Sequence, residues 1–102
     1  MHTHIVFFWL KAGLRGDDKE KFAQGLTLLT NEPHILDRRI GKSASTRRDV
    51  VDSSYSYSIV LRFCDLGAYN TYQTSDEHQV FLDTCFEMID RVQVYDVDEL
   101  NL

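Results

Sequence analysis

A tyrosine and a histidine, Tyr72 and His78, are the residues of this chain whose types and spacing point most directly to acid–base chemistry. They lie six positions apart in the segment YNTYQTSDEHQVF, and a predicted helix start separates them. A histidine titrates at about pH 6.5, so it can serve as a general acid or base near neutrality. A phenol can donate a hydrogen bond to a substrate carbonyl. If both helices cover one cavity, we expect His78 as general acid/base and Tyr72 as oxyanion donor.

A structural role for His78 is also open. A histidine in the first turn of a helix can bond a nearby backbone carbonyl, or pack against His4 or Asp96. His4 heads the first predicted strand on the side that faces the helices, which places it near His78. It is either a ligand contact or a hydrogen-bonded interior histidine.

Three aromatic residues, Phe8, Tyr57 and Phe81, point toward the predicted interior between sheet and helices. Most aromatic residues in such positions simply build the core. With His4 beside them, the same residues would also suit a pocket for a small planar ligand. We therefore predict ligand contacts at His4, Phe8, Tyr57 and Phe81.

The sequence shows no complete motif for a metal site, a phosphate-binding loop or a catalytic nucleophile. His2 and His4 form a His-x-His pair, but no third ligand follows at a characteristic spacing, so no metal site is predicted. The segment GLRGDD lacks the spacing and the Lys-Ser/Thr end of a phosphate-binding loop. No serine stands in a nucleophile elbow, and Cys85 has no histidine at a telling spacing.

Composition limits the class of protein. The chain has 102 residues, which predicts one domain over 1–102. Its net charge of −5 disfavours a nucleic-acid partner. The apolar run 5–10 is too short to span a membrane. Two cysteines, Cys64 and Cys85, are predicted to be buried free thiols, which favours a cytoplasmic location.

The order of predicted elements is β-α-β-β-α-β, with a break in the second helix. β-Branched and aromatic runs with period-two alternation mark the clearest strands, and apolar residues at helical spacing mark the helices. The predicted strands are 4–11, 35–43, 55–64 and 92–97, and the helices lie between the first and second strands and between the third and fourth. This is the ferredoxin-like α+β arrangement, an antiparallel four-stranded sheet with helices on one face.

The other face of the sheet needs a cover of its own. The first strand places Ile5, Phe7 and Trp9 on the face away from the helices, and these residues are apolar. A small domain has helices for only one face, so a second copy of the chain is the expected cover. The sequence therefore predicts a homodimer through Ile5, Phe7 and Trp9.

These residues resemble a known family, the stress-responsive A/B barrel (Dabb) proteins. HIVFFWLK at 4–11 is similar to the family's opening His-x-Val-x-Phe-x-Leu-Lys, and Gly41 fits the glycine that closes its second strand. VQVYDV at 92–97 resembles the family's last strand. The strongest match places a phenylalanine, an acidic turn, an alanine, a tyrosine, a histidine and a phenylalanine at Phe63, Asp65, Ala68, Tyr72, His78 and Phe81. The family's His-Pro is replaced here by Ser75 and Asp76.

The resemblance implies a dimeric α/β barrel that needs no cofactor. Members of this family include a plant polyketide (olivetolic acid) cyclase, whose tyrosine–histidine pair maps onto Tyr72 and His78 and whose first-strand histidine maps onto His4. Two departures change the pocket: a further histidine of that enzyme is Tyr57 here, and a tyrosine of its first helix falls at about Leu26. The same cyclase activity is therefore not expected.

Two functions remain open from the sequence. The first is a homodimeric stress-responsive protein that binds a small hydrophobic or aromatic molecule between sheet and helices. The second is a small cofactor-independent enzyme, cyclase-like or monooxygenase-like, that uses His78 and Tyr72. A closed cavity lined by both residues would favour the second.

Overall fold

The chain folds as an antiparallel sheet with helices on one face, in a computed structural model that describes residues 1–102. The strands are β1 His2–Leu10, β2 Asp37–Lys42, β3 Tyr57–Phe63 and β4 Ile89–Asp98; the helices are α1 Gly16–Leu29, α2 Leu66–Gln73 and α3 Asp76–Cys85, with a short 3₁₀ turn at Phe86–Met88. The predicted ferredoxin-like α+β class is confirmed, and so is the break between α2 and α3. β4 is longer than predicted at both ends.

The strand order is β2-β3-β1-β4, so β1 lies inside the sheet and pairs antiparallel with both β3 and β4. Val6 lies opposite Ile59 on β3 and Val94 on β4. Because side chains alternate along a strand, this register puts all three on the helix side. β2 is an edge strand, as its polar sequence predicts.

The core lies between the helices and the inner face of the sheet. Alternate residues of β1 and β3 are buried there, which confirms the predicted facing of both strands. The buried hydrophobic cluster consists of Val6, Phe8, Phe22, Leu26, Leu29, Ile59, Leu61, Phe63, Tyr72, Phe81 and Cys85. Gly25 lets α1 approach α3 closely, since a Cβ at this position would overlap the Cys85 sulfur.

The outer face of the sheet is partly covered by the chain itself. The connection between β2 and β3 folds back so that Ser54 accepts a hydrogen bond from the Trp9 indole at 2.9 Å. Tyr55 packs on Phe7 with ring centroids 4.8 Å apart, and Arg91 lies 4.1 Å from the centre of a Trp9 ring. The remaining outer face stays open.

The two cysteines differ in environment. Cys85 is buried, as predicted, but Cys64 is exposed because it lies just past the end of β3, where the chain turns toward α2. Both are free thiols. No helix is both long and apolar enough to cross a membrane.

Candidate functional site

A cavity of about 290 Å³ opens between the inner face of the sheet and helices α2 and α3. Twelve of its fifteen lining residues are hydrophobic. The lining residues are His4, Val6, Phe8, Leu29, Ile59, Tyr69, Tyr72, Gln73, His78, Phe81, Leu82, Phe86, Ile89, Val92 and Val94. An apolar cavity with a few polar groups is the usual form of a small-molecule site.

Ser75 holds Tyr72 and His78 at the junction of two helices. Its hydroxyl donates to the Tyr72 carbonyl oxygen at 2.7 Å and accepts from the His78 backbone N–H at 3.2 Å. It is the N-cap of α3 and directly follows Thr74, the C-cap of α2. The two rings meet edge-on, with centroids 5.3 Å apart and planes at 87°.

His78 is half-buried, and its ring forms no hydrogen bond with the protein. Burial lowers its pKa from the ordinary value, and the neighbouring His4 lowers it further. Since the neutral imidazole prevails at neutral pH, one ring nitrogen is free to accept a hydrogen bond or a proton. The ring is not bonded to a backbone carbonyl, but it packs against Tyr72 near His4, so a structural role and a chemical role for His78 both stay predictions.

Tyr72 is only 1% exposed and packs on Phe63, at a centroid distance of 5.2 Å. Its pKa is raised well above the ordinary value, chiefly by burial and further by the nearby Tyr69 and Glu32. A phenol with a raised pKa stays protonated, so its hydroxyl can donate a hydrogen bond but cannot act as a base.

His4 is buried and bonded to Asp96 across the β1–β4 pair. The His4 Nδ1 atom lies 2.7 Å from Asp96 Oδ1. Burial alone would raise the pKa of Asp96, but hydrogen bonds from His4, His2 and Tyr69 outweigh it and the pKa is lowered. Because Asp96 is therefore a carboxylate, Nδ1 donates and Nε2 is left as an acceptor. Burial lowers the pKa of His4 itself, although the hydrogen bond to Asp96 and the charge of Asp96 act to raise it.

Three further residues, Tyr69, Gln73 and His2, extend this cluster, and only His2 is considered from the sequence, as half of a metal pair. The Tyr69 hydroxyl donates to Asp96 Oδ2 at 3.2 Å and accepts from the Gln73 amide at 3.0 Å. His2 stacks on Tyr69, with centroids 4.4 Å apart, and bonds the same Asp96 oxygen at 3.1 Å. Tyr69 and Gln73 are one helical turn apart, which is the sequence signal that could have linked them.

The three aromatic residues predicted to contact a ligand lie in different parts of the packed interior. Phe8 and Phe81 line the cavity, but Tyr57 does not. The Tyr57 ring packs on Phe22 at 5.5 Å, and Phe22 in turn contacts Phe81 at 5.8 Å, so Phe22 separates Tyr57 from the cavity. Phe86 lines the rim and is 64% exposed, since it follows the end of α3. The roles of His4, Phe8, Tyr72, His78 and Phe81 stay predictions.

No group of three or more His, Cys, Asp or Glu side chains is arranged to hold a metal ion. The His2–His4 pair instead shares one carboxylate oxygen, Asp96 Oδ1. His2, His4 and Asp96 are thus joined to one another by hydrogen bonds.

Stability is expected to fall as the pH drops below about 6.5, the value at which histidines titrate in the unfolded chain. The pKa values of His4 and His78 are lowered in the folded protein, so the unfolded chain binds protons that the folded one resists. That loss begins at the unfolded pKa and continues until the folded pKa is reached. The contribution of Asp96, whose pKa is also lowered, is lost only in stronger acid.

Thermal unfolding midpoints across this range measure the effect. His78→Gln, which removes one of the two shifted histidines, should flatten the pH dependence. A midpoint that does not change between neutral and mildly acidic pH would contradict the burial of these imidazoles.

Comparisons with known proteins agree with this architecture. The sequence model of the family described as Stress responsive A/B Barrel Domain (Dabb) matches residues 3–99. No curated protein sequence matches the chain at a significant level. Among solved structures, the Arabidopsis thaliana protein At3g17210 is 19% identical, with a TM-score of 0.81 over 100% of this chain and 98% of the other.

Two other solved structures are similar over most of their length. A dimeric ferredoxin-like protein of unknown function from Thermobifida fusca is 16% identical, with a TM-score of 0.76 over 94% of this chain and 88% of the other. A hydroxynitrile lyase from Passiflora edulis is 17% identical, with a TM-score of 0.78 over 99% of this chain and 96% of the other. At these identities the likeness establishes the fold.

Proposed function

Because this chain belongs to the stress responsive A/B barrel domain family, we propose that it is a homodimeric protein that binds a small hydrophobic or aromatic molecule between sheet and helices. The observation that carries the proposal is the apolar cavity with Tyr72, His78 and His4 in its wall. The free thiols fit the cytoplasm as its compartment.

The size of the cavity limits the ligand. Its volume of about 290 Å³ lies at the lower end of ligand pockets, which run from about 300 to 1,000 Å³. One aromatic ring with a short substituent fits this space. The aromatic walls formed by Phe8, Tyr69 and Phe81 favour such a ring through edge and face contacts.

The polar side chains in the cavity wall determine which polar group the ligand's substituent should carry. His78 and the Nε2 atom of His4 are hydrogen-bond acceptors when neutral, and the Tyr72 hydroxyl is a donor. A ligand with one polar group at the end of its substituent can satisfy these partners while its ring stays in the apolar part.

The outer sheet face supports the homodimer. Tyr95 lies opposite Ile5 and Val97 opposite Thr3 in the β1–β4 register, so both point to the same outer face as Phe7 and Trp9. Tyr95 is 55% and Val97 is 42% exposed. Together these side chains make an apolar face that a second copy would bury.

His78→Ala is expected to weaken binding of phenethyl alcohol about five- to tenfold, because the ligand loses one hydrogen bond and a packed ring. Isothermal titration of the purified protein measures the change. Gln79→Ala is the matched control, since Gln79 is exposed on the same helix and bonds only Asp83. Equal affinities of the native protein and His78→Ala would count against this cavity as the binding site.

A cofactor-independent enzyme is the second candidate, favoured by the unbonded neutral ring of His78 beside a protonated phenol. In this reading His78 removes a proton from the carbon next to a ligand carbonyl, and the Tyr72 hydroxyl donates a hydrogen bond to the carbonyl oxygen. The proton then returns to carbon from His78.

Exchange of the carbon-bound protons of phenylacetone in heavy water tests that chemistry directly by NMR. If the protein catalyses this proton transfer, the exchange is expected to be faster with the native protein than with His78→Ala. Equal rates for the two proteins would reject it and leave the binding function intact.

A further inference from the structure

One carboxylate sets the direction of the hydrogen bonds beside the cavity. Because the pKa of Asp96 is lowered, the group is ionised and can only accept hydrogen bonds. It accepts from the Tyr69 hydroxyl at 3.2 Å, from His4 Nδ1 at 2.7 Å and from His2 Nε2 at 3.1 Å. Two of these donors, His4 and Tyr69, line the cavity. Asp96 therefore determines which polar atoms they have left for other partners.

Tyr69 passes this direction on to Gln73, one helical turn further along α2. A phenol hydroxyl has a single proton, and here that proton is donated to Asp96. The Tyr69 oxygen can therefore only accept from Gln73, so the Gln73 atom that lies 3.0 Å away must be the amide nitrogen. The orientation of the amide is thus fixed, and the carbonyl oxygen Oε1 is left as an acceptor.

This Gln73 oxygen is available to a ligand. Gln73 is half-buried and lines the cavity, and its Oε1 atom forms no hydrogen bond with the protein. The one sealed side-chain polar atom without a partner is Glu32 Oε2, so the unpaired Oε1 of Gln73 is open to contact.

His4 presents an acceptor for the same reason. Its Nδ1 atom donates to Asp96, and burial lowers the pKa of the ring, so the neutral imidazole has an unprotonated Nε2. The cavity wall therefore contains two acceptors of fixed polarity, the Nε2 atom of His4 and the Oε1 atom of Gln73.

The other two polar side chains of the wall can adapt. The Tyr72 hydroxyl and the His78 ring bond no other side chain, and each has both a donor and an acceptor. A ligand hydroxyl can donate to a fixed acceptor and accept from Tyr72. A ligand carbonyl can only accept, so it leaves the fixed acceptors unpaired, which costs free energy in a desolvated site.

We propose that Gln73, held through Tyr69 by Asp96, is a specificity-determining residue of the cavity. Together with His4 it selects ligands whose polar group is a hydroxyl donor over ligands that carry a carbonyl at the same place. The inference rests on the proposed binding function and adds the polar group of the ligand.

Two ligands with the same carbon skeleton test the selection: phenylacetone and the alcohol formed by its reduction, α-methylphenethyl alcohol. Each is titrated calorimetrically at neutral pH, with the two enantiomers of the alcohol measured separately and the tighter one compared. The alcohol is expected to bind about five- to tenfold more tightly than the ketone, because only the alcohol pairs a fixed acceptor.

Two variants test the role of the network. Tyr69→Phe frees the Gln73 amide to turn its N–H toward a ligand, so it should lower the ratio several-fold, chiefly by tighter binding of the ketone. Gln73→Met keeps the length of the side chain and removes the acceptor, so it should lower the ratio by weaker binding of the alcohol. Asn70→Ala, at an exposed position of α2, should leave the ratio unchanged.

The outcomes separate this selection from the binding function. Equal affinities of the native protein for alcohol and ketone overturn the selection, and so does an unchanged ratio in a folded variant, while the binding function stands. If Tyr69 only ties α2 to β4, Tyr69→Phe should weaken both ligands alike. Failure of both ligands and of phenethyl alcohol to bind overturns both proposals. Cooperative thermal unfolding shows which variants are folded, and either variant alone decides the question.

Discussion

Replacing Trp9 by glutamate is expected to convert the proposed dimer into a monomer. Trp9 lies on the outer face of β1, beside Phe7 and across from β4, on the apolar surface that a second copy would bury. A carboxylate there would be desolvated between two sheets even beside Arg91, and the penalty is several kcal/mol per ion (order of magnitude). Light scattering coupled to size exclusion measures the mass of the native protein and of the variant.

Leu28→Glu is the control for this experiment. Leu28 is an exposed apolar residue on α1, on the opposite side of the molecule from the outer sheet face, so its replacement should leave the dimer intact. If Trp9→Glu does not fold, the unfolding midpoint of the native protein supplies the answer. A dimer must unfold at a higher temperature as its concentration rises. A stable Trp9→Glu dimer would show that the outer face is not the interface.

Phe22→Ala is expected to lower the free energy of unfolding by about 3–5 kcal/mol, because it removes a completely buried ring. Phe22 contacts Phe8 at 5.4 Å and Phe81 at 5.8 Å, measured between ring centroids. Both neighbours line the cavity, so the loss of Phe22 would also let them shift and weaken ligand binding. Urea denaturation followed by circular dichroism measures the stability.

Phe86→Ala removes the same ring from the rim of the cavity, where it is exposed. Its effect on the free energy of unfolding should therefore be small, within about 0.5–1 kcal/mol. Its effect on ligand affinity should be larger than its effect on stability. Similar losses of stability in the two variants would mean that Phe22 is less well packed than its burial indicates.

Much of the candidate site follows from local sequence. Ser75 between two apolar helical stripes predicts a helix break, and the break places Tyr72 and His78 on the two sides of one hydroxyl. Alternation along β1 likewise predicts that His4 faces the helices. These features depend on periods of two and 3.6 residues and on capping, which act over a few residues.

Other parts of the site could not be predicted from local sequence. The sequence offered His2 only as half of a His-x-His pair, yet it stacks on Tyr69 and bonds Asp96, because β4 pairs with β1 in a register that brings positions 2 and 98 together. Nothing in the local pattern sets a register between residues as distant in sequence as His2 and Asp96, which are 94 positions apart. Tyr57 has the correct facing, but Phe22 of α1 stands between it and the cavity.

The sequence by itself determined the class of fold, the facing of β1 and β3, and the pairing of Tyr72 with His78, since backbone periodicity and capping act within each element. Only the tertiary structure decided that these residues border an open cavity, that Asp96 orients His4, and that Glu32 is buried with an unpaired oxygen. Volume and desolvation arise where distant elements pack, and the shape of the cavity depends on them.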